Sequence, residues 1–557
     1  MPNLPLRPRH VRRAFHVANV LRKHGFGHFV DHVPALRALR PGIFRRRARM
    51  ETPPPSAAER VRMVLDDLGP TAIKFGQLLS TRPDMFPPDL LDELVKLQDQ
   101  VEPDPFDQVK VLIESELGKR IEDVFSEFAS EPVAAASMAQ VYLAVLAGDG
   151  RRVAVKVQRP GIRSVVETDI DIMRYMAPAV ERHIPGARAY DPVGLVEEFA
   201  RSLCEELDFT NEGRNADRFR RNFESDEHLC IPKVFWDFTT SRVLVTEAVD
   251  GVKITRLQRI AERGWDAKVL ARIGAEAYLR QIFEHGFFHA DPHPGNIFAV
   301  GPESLAFVDF GIVGRMDDQL LAASAQVLLA VVGRDLDRVI REYDALGAMP
   351  EDYDERLLRR DLSDVVERYY GAKLSHIHAE QCITDLVAVA SVHNIRLPRD
   401  FVLLGKTLLV VGSLGRELDP DFDILEVARP FAAELIRKRM EPAALAEEAK
   451  RLMMDVASVA RSLPSETQEI LRKLRRGKLR IEFEHRGLDD GIRELDRASN
   501  RLSLALILSA ILLASTMVLQ LGSGGGTMWL RIGIFGYAVA GILGLVLAFS
   551  ILRSGRL

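Results

Sequence analysis

Four polar residues stand close together in one stretch of the chain: His289, Asp291 and Asn296, with Asp309 thirteen residues beyond Asn296. The first three belong to His289-Ala290-Asp291-Pro292-His293-Pro294-Gly295-Asn296, and Asp309 opens Asp309-Phe310-Gly311. Phosphoryl transfer from ATP asks for such a set. It needs a carboxylate beside the accepting hydroxyl or water, and oxygen ligands for Mg²⁺ ions that bridge the phosphates. It also needs a cation on the α- and β-phosphates, which Lys156 in Val153-Ala154-Val155-Lys156 could supply. Each piece alone is weak, because a lysine on a strand edge is usually solvated and Asp-Phe-Gly arises by chance.

Their order and spacing make the set specific. H-x-D-x-x-x-x-N, then a strand, then D-F-G, all downstream of a V-A-V-K segment, is the pattern of protein kinases. It assigns Mg²⁺ to Asn296 and Asp309, the phosphates to Lys156, and the attacking water or hydroxyl to Asp291. Elements able to hold these residues are legible around them. Ile297–Val300 and Leu305–Val308 read as short strands, and Val141–Val145 and Arg152–Val157 flank the turn Gly148-Asp149-Gly150 as a hairpin. Helix is expected from Ser56 to about Gln100 with breaks at Pro83 and Pro87-Pro88, again over Asp191–Phe223, and through most of the chain after Ala267. On the Asp191–Phe223 helix, Glu205, Glu206, Asp208 and Glu212 are all candidates to pair with Lys156, and Asp208 and Glu212 share a face. Val243–Glu247 reads as a strand at whose end the backbone of Glu247 and Val249 could meet an adenine edge.

A glycine-rich phosphate loop is missing. The turn before Lys156 carries Ala134, Ala135, Ala136 and Ser137, and alanine's Cβ disfavours the positive φ that a draping loop uses. Phosphates should therefore be held in another way, unless this is merely a small-residue turn packed for space.

The chain has 557 residues, a net charge of −4 and 47% hydrophobic residues, values of globular proteins that exclude a wholly disordered or fibrous chain. Nothing in that balance calls for nucleic acid as a partner. Three scattered cysteines (Cys204, Cys230, Cys382) argue against a disulfide framework or zinc ribbon. The averages conceal segregation. The first fifty residues hold twelve Lys/Arg, Arg45-Arg46-Arg47 among them, against one acid, Asp31. That arm is either simply solvated or apposed to anionic lipid headgroups. At the other end, Leu502–Leu521 and Ile532–Leu552 carry no charge, and each is long enough to span hydrocarbon as a helix. Gly522–Met528 joins them, with Trp529 as an interfacial anchor. Arg493, Arg497 and Arg501 precede the first stretch, Arg553 and Arg556 follow the second, and the connector side has Arg531 alone. The positive-inside bias then puts both ends, and the soluble portion, in the cytoplasm, with a multi-pass hairpin in the inner (cytoplasmic) membrane. Gly536, Ala540 and Gly544 form a small-residue stripe suited to close helix approach, within the hairpin or in a homodimer. Pro430–Arg461 and Ser465–Arg475 read as amphipathic helices, and Leu479, Ile481 and Phe483 alternate as in a short strand.

One further motif brings a family into view. Lys74-Phe75-Gly76-Gln77, continuing through Ser80-Thr81-Arg82-Pro83-Asp84, has the form K-x-G-Q. By spacing alone Lys74 and Gln77 would be a solvated helical stripe. Together with the catalytic segments, the alanine-rich turn and Glu206-Leu207-Asp208 (E-x-D), the chain resembles the UbiB family of atypical protein-kinase-like proteins from about residue 20 to the C-terminal hairpin. Ala290 and Gly213 depart from the family's usual residues, small for small.

The resemblance implies an α+β fold: a bilobal protein-kinase-like body with an N-terminal helical extension and a C-terminal two-helix transmembrane hairpin. Expected boundaries are 1–50 (basic arm), 51–131 (K-x-G-Q extension), 132–249 and 250–440 (the two lobes), 441–501 (amphipathic segment) and 502–552 (hairpin). It implies that Lys74, Gln77, Glu206 and Asp208 form a lid over the usual peptide-substrate region, that Ala134–Ser137 replaces the glycine loop, and that Glu212 is the partner of Lys156. It also implies ATP and Mg²⁺ as cofactors, and a membrane-tethered kinase-like ATPase supporting ubiquinone or related isoprenoid-quinone biosynthesis. Membrane lipids, quinone precursors and quinone-biosynthesis enzymes are the implied partners. A lipid or small-molecule kinase, or a nucleotide-gated scaffold, are the rival readings. Gly405-Lys406-Thr407 resembles a P-loop ending, but Asp400 stands where that motif needs glycine, and Phe401–Leu414 reads as a buried helix.

Overall fold

The structure, a computed structural model, describes residues 8–27, 55–80, 82, 86–97, 101–183, 187, 191–333, 335–346, 348–350, 353–369, 379–393, 395, 397–440, 488–522 and 527–553. Arg45–Arg47, the alternating Leu479, Ile481 and Phe483, the expected helix Ser465–Arg475 and residues 441–461 of the expected helix Pro430–Arg461 lie outside them. The described start of the latter belongs to helix Ile424–Met440, which begins before Pro430. The chain divides into two compact units, 1–445 and 446–557.

The first unit contains a five-stranded sheet that presents Lys156. Strands β1 (Phe125–Phe128), β3 (Ala139–Leu146), β4 (Arg152–Gln158) and β6 (Val243–Glu247) follow one another across it, with β2 (Ala134–Ala135) paired to β3. The β3–β4 hairpin turns through Gly150 at φ 68°, a left-handed conformation that glycine adopts without strain. Period-2 alternation then decides what faces where. Val153, Val155 and Val157 are wholly buried against Tyr142, Val243, Val245 and Ile113 of helix Phe106–Leu117. Lys156 is left on the opposite face, directly across from Val141 on one side and Leu244 on the other.

A second sheet orders β5 (Leu229–Cys230), β10 (Ser304–Phe307), β9 (Ile297–Gly301) and β7 (Val252–Lys253). Beside it β8 (Phe287–His289) pairs antiparallel with β11 (Val313–Arg315). Tyr278, Phe219, Phe287, Phe307 and Phe310 share one buried cluster beneath these strands. Helix Ala267–Phe283 backs them and packs on helix Arg399–Leu418, which contains Gly405-Lys406-Thr407. Thr407 is wholly buried there, so this segment is a core helix and not a phosphate loop.

The helical extension has helices Ala57–Leu68, Pro70–Ser80 and Pro88–Val95. The break before Pro88 is as expected, Pro83 lies outside the described residues, and a further break at Gly69, φ 87°, has no counterpart in the sequence reading. Ser56 starts the first with a capping box, its Oγ accepting from the Glu59 N–H while Glu59 accepts from the Ser56 N–H. Gly76 is closely packed: a Cβ there would run into the Cδ1 ends of the buried Leu97 and Leu65 side chains, which would have to move. Several helices escape the sequence reading, among them Phe106–Leu117 and the 22-residue Ile162–His183, the latter with Pro178 inside it. The described part of the expected basic arm is another: residues 8–23 form helix Pro8–Lys23, not a solvated arm, with Ala14 and Ala18 packed on Ile172 and Arg13 donating to both carboxylate oxygens of Asp169. Conversely, the helix expected over Asp191–Phe223 is two, Pro192–Glu206 and Phe209–Asn222. Asp208 is the N-cap of the second, accepting from the N–H and hydroxyl of Thr210. It therefore stands at the helix start, where its carboxylate meets orphan amides, rather than in a ridge with Glu212.

The second unit holds helices Leu488–Gly522 and Thr527–Arg553, packed antiparallel. Ser515 fills the notch at Gly536, the Thr516 hydroxyl meets that of Tyr537 at 2.7 Å, and Leu508 lies over Gly544. The small-residue stripe is thus used within the chain. Among the described residues, Leu502–Gln520 is the one stretch both long and apolar enough to cross a membrane, with mean hydropathy 2.4; the apolar part of the second helix, Arg531–Leu545, is shorter.

Candidate active site

Lys156, Glu212 and Asp309 come from three distant parts of the chain to one point. The Lys156 Nζ donates to Glu212 Oε1 at 2.9 Å and Oε2 at 2.8 Å, and lies 3.3 Å from Asp309 Oδ2. Of the four acids the sequence offered, Glu212 is therefore the partner. It sits in the first turn of helix Phe209–Asn222 and is buried, as is most of Lys156. Burial pushes the Lys156 ammonium down, but Asp309 and Glu212 together outweigh that and raise it above its ordinary value. Glu212 is pushed up to about 7, by burial first and then by the charge of Asp309, with Lys156 only partly offsetting them. For Asp309, burial acts upward but the lysine charge wins, leaving the carboxyl below its usual range.

Asp309 takes a left-handed backbone, φ 63°, unusual for a residue with a Cβ. Its Oδ1 accepts from the Gly311 N–H at 3.3 Å, which stabilises the bend locally. Phe310 anchors the next step: it is buried against Phe219 and His289, and its carbonyl accepts from Asn215 Nδ2 at 3.0 Å. One helix thus supplies the partner of Lys156 and the restraint on Phe310.

The catalytic loop is built on His289, which closes β8 and is buried. Gln281 Oε1 accepts from its backbone N–H at 2.9 Å. Its Nδ1 accepts from the Asp291 N–H at 3.2 Å, so the ring proton belongs on Nε2, which meets the Val308 carbonyl at 3.2 Å. Burial pushes this imidazole below its ordinary value, in keeping with a neutral ring. The ring therefore ties the backbone of Asp291 to that of Val308, one residue before Asp309. A second tie is the Val308 N–H donating to the Asn296 carbonyl at 3.0 Å. Asn296 turns its Nδ2 toward the Asp291 carbonyl, at 3.5 Å, which leaves Oδ1 for a ligand. The Asp291 carboxylate accepts no hydrogen bond from any described residue.

Asn296 and Asp309 offer one amide oxygen and one carboxylate, a hard donor set suited to Mg²⁺ when phosphate oxygens and water complete the shell. Among the described residues no cluster of three or more His, Cys, Asp or Glu side chains could hold a metal without such help.

Around this core the other expected residues are distributed unevenly. Lys74 Nζ lies 2.6 Å from Glu206 Oε1, and Arg82 Nη1 3.1 Å from Glu198 Oε2, so helix Pro70–Ser80 and the residues after it are clasped to helix Pro192–Glu206 at two points. The charges of Lys74 and Glu206 are felt at Asp309 and Glu212 respectively. Gln77 is on the same helix and half-buried. Asp208 serves as the cap described above. Ala134 and Ala135 pair with Val141 and Gln140, the Ala136 N–H meets the Ala139 carbonyl at 2.8 Å, and Ser137 is wholly buried, so the turn is a pinned strand end. At the end of β6, Glu247 spends its N–H on the Lys233 carbonyl and Ala248 its N–H on that of Arg152. This leaves the Glu247 carbonyl and the Val249 N–H as groups for an adenine edge. Asn215, Gln281 and the Arg82–Glu198 pair were missed from sequence; each acts across the fold, and no local spacing signals it.

Comparison with known proteins bears on the same segments. Residues 96–343 match the ABC1 atypical kinase-like domain, 362–423 the UbiB helical domain, and 486–553 the ABC1/UbiB kinase-like C-terminal domain. A protein of Aliivibrio fischeri (strain ES114) named "Probable protein kinase UbiB" is 34% identical over 541 residues, covering 94% of this chain and 98% of its own. One of the same name from Pseudomonas putida (strain W619) is 38% identical over 445 residues, 78% of this chain and 82% of its own. An uncharacterized Synechocystis protein is 35% identical over 466 residues, 83% of this chain and 79% of its own.

Proposed function

This chain belongs to the UbiB family of ABC1 atypical kinase-like proteins, and on that footing we propose that it is a membrane-tethered ATPase that binds Mg-ATP and supports isoprenoid-quinone biosynthesis, ubiquinone included. The observation that carries the reading is the convergence of Lys156, Glu212 and Asp309 beside a catalytic loop whose His289 locks Asp291 and Val308 together.

In this reading Lys156, steadied by Glu212, grips the α- and β-phosphates. Asn296 Oδ1 and the Asp309 carboxylate would hold Mg²⁺, whose contribution is to neutralise charge developing on the transferred phosphoryl group. Asp291, with its carboxylate open, orients the attacking oxygen and takes its proton. The Glu247 carbonyl and Val249 N–H receive the adenine edge. Lys74, Gln77, Glu206 and Asp208 belong to a lid that keeps extended peptides out, and the Lys74–Glu206 pair supports that role. Leu502–Gln520 would tether the chain in the cytoplasmic membrane, with the helix beside it completing a hairpin. Quinone precursors carry prenyl tails that remain in the bilayer, so a tethered enzyme meets them, and the enzymes acting on them, in two dimensions.

A second reading is favoured by the open Asp291 carboxylate: transfer of the phosphoryl group to a lipid or small-molecule hydroxyl. γ-Labelled ATP with purified protein and a quinone-precursor lipid extract separates the two. Label released as free phosphate supports the ATPase, and labelled lipid supports the kinase. Lys156→Ala should abolish Mg-ATP binding and turnover, and unchanged turnover would overturn both.

A further inference from the structure

One buried polar network takes no part in the chemistry above. Arg159 leaves β4 three residues beyond Lys156 and is buried. Its Nε donates to Asp104 Oδ2 at 2.7 Å, one Nη to the Ala136 carbonyl at 3.4 Å and the other to the Glu102 carbonyl. Its backbone N–H donates to the Met138 carbonyl at 3.0 Å. Arg159 therefore holds the alanine turn on both sides of Ser137. Gln140, wholly buried and directly opposite Ala135, reinforces the same acid. The Asp104 N–H donates to Gln140 Oε1 at 3.1 Å, Gln140 Nε2 donates back to Asp104 Oδ2 at 3.0 Å, and the Tyr142 hydroxyl donates to Gln140 Oε1 at 3.2 Å. Asp104 itself lies on the connection between helices Pro88–Val95 and Phe106–Leu117.

A buried guanidinium is tolerated only where its donors are met, and its planar fork meets three acceptors in fixed directions as an ammonium cannot. A glycine loop adapts to phosphates by changing its own φ and ψ. An alanine turn has less of that freedom, so its position must be set from outside. We propose that Arg159, held by Asp104, is a positioning residue that fixes the alanine turn relative to Lys156 and thereby sets nucleotide affinity. This rests on reading the site as a nucleotide site. Arg159 acts through the turn, and the chemistry at Asp291 does not depend on it.

The test uses the full-length protein in detergent, with Mg-ATP binding and hydrolysis measured in parallel. Arg159→Lys should weaken Mg-ATP binding about tenfold, the scale of losing a hydrogen bond to a charged group, with kcat within about twofold. Asp104→Asn, which keeps the acid's shape, should shift affinity in the same direction, and the double variant should be no weaker than the weaker single one. A purely structural role would lower the melting temperature and leave affinity where it was. Wild-type affinity in folded Asp104→Asn, or additive losses in the double variant, would overturn the proposal even if Arg159→Lys fails to fold. Lys156→Ala measured alongside separates the two levels. If it too binds Mg-ATP normally, the nucleotide reading fails; if it alone loses binding, only the role of Arg159 does.

Discussion

The ammonium of Lys156 lies 2.8 Å from Glu212 and 3.3 Å from Asp309, so one cation is shared between its helix partner and a carboxylate expected to face Mg²⁺. If Mg²⁺ binds as proposed, Lys156 and the metal would compete for Asp309, and Glu212 would set how far the lysine leans.

Glu212→Gln should let Lys156 lean further toward Asp309. A Mg²⁺ titration of ATP hydrolysis checks this, and the half-saturating Mg²⁺ concentration should rise. Glu212→Ala, which leaves the cation without its buried partner, should cost about 3 kcal/mol of stability in denaturant unfolding.

Lys74 and Glu206 are both largely screened from solvent, so their pair should be worth more than a surface bridge, about 1–2 kcal/mol of coupling in a double-mutant cycle. The charge swap Lys74→Glu with Glu206→Lys should recover part of what either change alone loses. Additive losses would remove the pair as a clasp of the lid.

Gly76→Ala should be costly for the same region, because the new methyl would meet Leu97 and Leu65 well inside contact distance. A loss of about 1–3 kcal/mol is expected for such overpacking. Limited proteolysis should then cut first in the helical extension.

The neutral His289 makes stability depend on pH. Burial lowers its folded pKa below the unfolded value of 6.5, so below that pH the unfolded chain binds a proton that the folded one refuses. Stability contributed by this group is complete above pH 6.5 and falls as pH drops, by up to about 1.4 kcal/mol per pH unit. Glu212, whose carboxyl is pushed up to about 7, takes up a proton on folding over the same range and acts in the opposite sense. The check is therefore a difference: in denaturant melts from about pH 7.5 to about 5.5, wild type should lose more stability on acidification than His289→Gln.

Close packing of the C-terminal helices through Ser515 and Gly536 is checked by cysteine crosslinking. Leu508→Cys with Gly544→Cys should be joined by a short bifunctional thiol reagent, since the Leu508 Cδ2 end lies 3.8 Å from where a Gly544 Cβ would stand, too far at Cβ for a direct disulfide to be assured. Adding Gly536→Ile, which collides with Ser515, should abolish the crosslink.

Sequence alone determined the chemistry wherever the chemistry is local. His289 to Asn296, Asp309-Phe310-Gly311 and Val153–Lys156 are short segments whose residue types and offsets are dictated by what each must touch. The hairpin around Gly150 and the break before Pro88 were legible for the same reason, since turn residues and prolines act on their immediate neighbours, while the break at Gly69 was missed. The tertiary structure decided what depends on residues far apart. By spacing alone four acids could have met Lys156, and the family resemblance singled out Glu212. The structure supplies the reason, since helix Phe209–Asn222 packs beneath β6 with its first turn toward β4 and brings Glu212, 56 residues away, to the lysine. By spacing alone Lys74 was one member of a solvated stripe; the family resemblance placed it with Glu206, and the structure shows the contact, made across 132 residues of chain where its helix meets Pro192–Glu206. Gly76 is marked in the sequence only as the glycine of K-x-G-Q; the leucines packed against it show the physical reason, since a side chain there would push them aside. Arg159 belongs to no motif in the sequence, and its hold on the alanine turn exists only once Asp104 and Gln140 have been folded against it. Side-chain partners across the fold are set by packing, and one chain's pattern of spacings does not contain them.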